Sequence, residues 1–218
     1  MSETLEEKVE SKKSKSFVKK ALKFGWNVGV AAASATLSYS LVGISGPLTG
    51  IAFAAGSAIL NTMKKNPDKK SRGLEGLIND FSAGSLAGIA GVYGYDLAAQ
   101  YFQPGIARAL FGIGVANPTF TASYMASDYI IKNDFNPIGI GKYFKDNYWP
   151  VLKDTTLWLG LPVAATINGM GIPATLNGLD LRGYPTILFA DIFYRMRTGL
   201  TQSKIAANSS YSLAQHPA

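Results

Sequence analysis

The stretch FSAGSLAGIAGVYGYDLAAQYF, Phe81–Phe102, decides how the rest of the chain is read. Gly84, Gly88, Gly91 and Gly94 recur at helical spacing and leave one face of a helix nearly bare, while Asp96 alone carries a charge. A bare face lets a second helix approach closely, so these four glycines are read as helix-packing residues. With Asp96 as its only charge, a run of this length also meets the requirement of ~20 mostly apolar residues for a bilayer-crossing helix.

The same reading extends to five neighbouring stretches. Phe24–Ile44 and Pro47–Met63 are free of charge, and Gly105–Ile131 holds Arg108 near its start and Asp128 near its end. Thr155–Ile172 is again uncharged, whereas Tyr184–Met196 contains Asp191 and Arg195. With the amino end placed inside, the intervening basic residues fall on the cytoplasmic side, all of the 21 except Arg108 and Arg182. That alternation matches the enrichment of Lys and Arg in cytoplasmic loops. The expected fold is therefore all-α: a polytopic membrane protein of about six transmembrane helices arranged as three hairpins, near 17–63, 78–132 and 146–197. The expected location is integral to the membrane, the cytoplasmic one, with both termini cytoplasmic.

Composition narrows the function. The 218 residues are 47% hydrophobic and 16% charged, with a net charge of +7, against roughly 25% charged residues in an average domain. There is no Cys, and the single histidine is His216. Thiolate chemistry is excluded, and neither a His-based triad nor a metal centre is expected. No phosphate-cradling loop, HExxH or nucleophile elbow is present, so the chain is read as neither an enzyme nor a cofactor binder. Lys64–Arg72 is basic but lacks interleaved aromatics; lipid headgroups rather than nucleic acid are its expected partner.

The polar ends differ from the middle. Residues 1–16 are read as a disordered cytoplasmic tail and 201–218 as a flexible one. Phe17–Phe24 (FVKKALKF) alternates apolar and basic residues at helical spacing, as suits a helix lying at a headgroup surface, and equally a solvated lysine tail.

A shift of 66 residues lays Asp80 on Asp146, Gly94 on Gly160 and Gly105-Ile106 on Gly171-Ile172. Laying Asn117-Pro118 on Tyr184-Pro185 and dropping four residues aligns Asp128…Lys132 with Asp191…Arg195, an internal repeat of helical hairpins. Each acid stands four residues from its base and is expected to pair with it on one helix face. Asp96 is expected to pair with Arg108 across the tight Gln103-Pro104 turn. Asn117, Asn168 and Asn177 are polar groups suited to a small solute or to interhelical hydrogen bonds. Pro118, Pro162 and Pro173 each free a carbonyl that needs another partner. The expected substrate pathway is Asp96, Arg108, Asn117, Asp128 and Asp191. The corresponding function is a small transporter or exporter of a polar metabolite such as an amino acid. The alternatives are a non-transporting scaffold or complex subunit, or a passive oligomeric channel. The expected partners are the lipid bilayer, a small polar solute and further copies of the chain.

Two resemblances bear on this. Asp154-Thr155, Gly169-Met170, Pro185 and Asp191 resemble the pattern of the small bacterial L-alanine exporter family, with Asp80, Pro118 and Asp128 as a less complete copy in which Phe81 stands where Thr is usual. The likeness covers roughly half the chain and implies amino-acid export by helical hairpins, three here against that family's two. Trp158, Asn168 and Ile172-Pro173 are similar, with altered spacing, to the peroxisomal and mitochondrial Mpv17-type membrane family.

Overall fold

Every element of the computed structural model is helical, and no strand occurs among the described residues, which are 5–63, 73–163, 165 and 184–215. Helix α1 spans Leu5–Val42, α2 Ser45–Thr62 and α3 Leu74–Tyr101. The next stretch runs through α4 (Ile106–Phe111), a π-helical turn (Gly112–Ala116) and α5 (Asn117–Lys132). Then come α6 (Ile140–Thr155), a second π turn (Thr156–Gly160), α7 (Leu161–Val163) and α8 (Tyr184–Gln215). Helix α1 thus begins within the stretch read as a disordered tail, and α8 continues into the other.

The first hairpin turns at Gly43-Ile44, between α1 and α2. Gly43 has φ 63°, the left-handed conformation that ends a helix at little cost only in glycine. The second turn falls at Gln103-Pro104, as read. Both π turns precede a proline by two residues. The Asn117 amide reaches back to the Gly112 carbonyl, and the Leu161 amide to that of Thr156. A proline ring would press on the carbonyl four residues earlier; widening the turn before Pro118 and Pro162 relieves that clash. The two widened turns meet, with Asn117 Nδ2 donating to Thr156 Oγ1 at 2.7 Å.

Packing follows the small residues. A methyl group at Gly84 would come within 2.8 Å of Phe53 Cβ, and one at Gly88 within 3.2 Å of Gly46 Cα. One at Gly50 would come within 2.6 Å of the Phe81 carbonyl oxygen. Gly91 meets the Phe120 ring and Gly94 meets Ala116, so all four glycines read as packing residues on α3 serve that purpose. Helices α3, α2, α8, α6 and α5 each pack on the next and close a ring, with α1 laid against α3 and α2. Inside the ring Phe53, Tyr124, Met125, Val151 and Tyr194 form the buried apolar centre.

The bilayer-spanning layout needs correction. Among the described residues no helix is long and apolar enough to cross a membrane. Gly, Ala, Ser and Thr dilute the expected spans, α1 carries its lysines into the helix, and α8 holds Asp191, Arg195 and Arg197 within it. The stretch Gly105–Ile131 is divided between a six-residue helix, a π turn and a sixteen-residue helix. The reading of transmembrane helices, a positive-inside topology and an integral location in the cytoplasmic membrane is therefore withdrawn, and the expectation of transport loses its premise.

Candidate functional site: a buried ionic cluster

Asp80 lies one turn before Gly84, on the same face of α3 that packs against α2. Close approach of the two helices seals its carboxylate from solvent, with 0% of the side chain exposed. The Ser57 hydroxyl on α2 donates to Asp80 Oδ2, and Arg195 Nη2 on α8 donates to the same oxygen at 3.0 Å. From α5, Lys132 Nζ stands 2.7 Å from Asp128 Oδ1 and 3.8 Å from Asp80 Oδ1. Four helices thus bring together two carboxylates and two cations with no formal net charge.

Room for the Arg195 side chain comes from two glycines. A methyl group at Gly56 would lie 3.0 Å from Arg195 Cβ, and one at Gly199 would lie 2.7 Å from Arg195 Nη1. Arg195 Nε and Nη1 have no hydrogen-bond partner, nor has the buried Tyr124 hydroxyl. Beside the cluster Phe53 packs on Tyr124 at 4.8 Å, and Phe120 meets Tyr194 edge-on at 5.0 Å. Tyr194 is fixed by donating its hydroxyl proton to Thr121 Oγ1 at 2.9 Å.

The electrostatics follow from burial opposed by neighbours. For Asp80 burial alone would disfavour the charged form, but Arg195 and then Lys132 outweigh it and hold the carboxyl below its usual range. Asp128 is raised by burial, which Lys132 offsets only in part. Burial opposes the charge of Lys132, yet Asp128 and Asp80 prevail and keep the ammonium above its ordinary value. The cluster is a charged, mutually compensated knot in which only Lys132 is partly exposed.

A second ion pair ties α6 to α8. Arg197 Nε donates to Asp154 Oδ2 at 3.0 Å, with a further contact between Arg197 Nη2 and Asp154 Oδ1. Thr201 donates to the same carboxylate, and the Arg197 guanidinium lies 5.3 Å from the Trp158 ring centroid.

The residues expected to form a pathway occupy separate settings. Asp128 joins the cluster and pairs with Lys132 as read. Asp191 does not form the expected pair with Arg195, because Arg195 turns to Asp80. Asp191 instead accepts a hydrogen bond from Thr49 and is pushed by burial to about 7. Asp96 and Arg108 form no ion pair within 4 Å; burial raises Asp96 to about 6, and the Arg108 charge lowers it only partly. Arg108 is itself buried, with its Nε unpartnered. Asn117 bonds to Thr156. Asn168, Asn177, Lys64–Arg72, Gly169-Met170 and Ile172-Pro173 lie outside the described residues. The repeat places Asp80 and Asp146 as equivalents, yet Asp80 is buried and Asp146 exposed.

Sequence reasoning missed Asp80, Ser57 and the role of Arg195. The available signal was the position of Asp80 on the Gly84–Gly88–Gly91 face, since an acid on a closely packed surface must find a buried cation. Comparison with protein-family models, curated proteins and solved structures gave no match.

Proposed function

We propose that the chain is a non-transporting structural subunit that associates with further copies of itself into a helical assembly. One observation carries the reading: charge is gathered inside while large apolar side chains stand outside. Asp80, Asp128, Asp191, Arg108 and Arg195 are buried, whereas Ile106, Leu110, Trp149, Trp158 and Phe189 are exposed. Phe189 and Phe193 stack with centroids 6.3 Å apart on the outer side of α8. The adjoining Phe189 and Phe193 rings, left open to solvent, favour an interaction face on α8, because solitary domains rarely leave large contiguous patches open to water. The buried cluster suits a subunit of fixed shape, since its two carboxylates and two cations balance in charge and tie α3, α5 and α8 together.

Light scattering during size-exclusion chromatography tests the reading. The expected mass is a multiple of the 23.2 kDa chain, falling when Phe189 and Phe193 are both changed to Ser. A single-chain mass across the accessible concentration range refutes it.

A further inference from the structure

The first exposed turns of α1 are set apart from the bundle. Residues 16–26 are exposed, and the helix meets its neighbours only from Lys23 onward, Trp26 meeting the Phe135 ring edge-on at 6.0 Å. There Asn27 Nδ2 donates to Glu75 Oε1 at 3.0 Å, and Lys23 Nζ pairs with the same oxygen at 3.2 Å. Beyond that anchor the helix stands free, with Phe17 72% and Leu22 70% exposed.

The free turns are two-sided. At 3.6 residues per turn, Phe17, Val18, Ala21, Leu22 and Phe24 share one side, and Lys19, Lys20 and Lys23 the other. Trp26 sits at the border between Leu22 and Lys19. Among the described residues no acid pairs with Lys19 or Lys20. A helix of aromatic and aliphatic side chains bordered by lysines matches one chemistry closely. The rings and aliphatic groups enter the boundary between headgroups and acyl chains, and the ammonium groups reach to the anionic headgroups on either flank.

We propose that this amino-terminal part of α1 docks on an anionic lipid surface. Contact of this kind lies in the headgroup plane and requires no helix to cross the bilayer. The charge on Lys19 and Lys20 selects the lipid, and the apolar side supplies the remaining affinity. Each lysine near an anionic surface contributes about fivefold to partition. The inference is independent of self-assembly, which is measured without lipid.

The test uses the full chain and co-sedimentation with vesicles of phosphatidylcholine alone or mixed with phosphatidylglycerol. Partition should be strong only with phosphatidylglycerol, weaken at high salt, and fall at least about 25-fold in the K19E/K20E variant. The exposed positions leave the circular dichroism of that variant unchanged. A second variant, F17S/L22S, should lose binding even at low salt. Equal binding to both vesicles, unaltered binding of K19E/K20E, or failure to bind either vesicle overturns the proposal. So does binding to polyglutamate at least as tight as to phosphatidylglycerol vesicles at matched ionic strength and unaffected in F17S/L22S, which assigns the surface to an acidic protein partner.

Discussion

Removing Arg195 tests the cluster most sharply. In Arg195→Met the buried carboxylates of Asp80 and Asp128 keep only Lys132, so one negative charge is left without compensation. A pair 3.0 Å apart is worth roughly 5 kcal/mol at an effective dielectric constant near 20, before the recovered solvation of the guanidinium is counted. Breaking a buried pair from one side costs about 3–5 kcal/mol, and that is the expected loss for Arg195→Met and separately for Asp80→Asn. Combining them restores neutrality, because Asp128 and Lys132 remain paired at 2.7 Å. The double variant should therefore be more stable than the summed singles by about 2 kcal/mol or more. Urea unfolding at pH 7, followed by circular dichroism, gives all four stabilities. If a single variant fails to fold, recovery of folding in the double variant reports the same coupling. Singles that cost under about 1 kcal/mol, or that add without coupling, refute the reasoning.

Other consequences follow from the same geometry. Asp191 is raised from 3.8 to about 7, so the folded chain binds the extra proton and its stability falls as pH rises between those values. Asp191→Asn should leave stability unchanged near pH 4 and raise it at pH 8 by at most about 4 kcal/mol, seen in thermal melts across pH. Gly84→Ala, forced against Phe53, should cost about 1–3 kcal/mol, whereas Gly25→Ala and Gly29→Ala, with open space around them, should gain about 0.5–1 kcal/mol each. Tyr194→Phe should lose about 1 kcal/mol with its bond to Thr121, while Tyr124→Phe, which removes an unpartnered hydroxyl, should be neutral or stabilising in the same assay.

The all-helical class was legible, and turns fall at Gly43 and Pro104, but the number and bounds of the helices were not: the basic stretch before Thr155 that was read as a loop forms α6. The glycine face of α3 and the Asp128–Lys132 pair were local features, set by spacing along one helix. Asp80 and Arg195, 115 residues apart, meet only through the packing of three helices, and no local periodicity encodes that. Arg195 had a nearer acid at Asp191, but α2 supplies Thr49 to Asp191 and Ser57 to Asp80, which settles the competition. The membrane reading failed for a compositional reason. Small residues that permit close helix packing look mildly apolar in bulk, so a bundle built on them imitates a set of spans.

Amide hydrogen exchange of the native chain addresses the central claim, that a buried ionic knot ties α8 to α3 across the interior of the ring. Amides around Asp80 and Arg195 should exchange together and only through global unfolding, and both should lose protection in Arg195→Met. Exchange of the α8 amides by a separate, lower-energy opening, unchanged by that substitution, would contradict it.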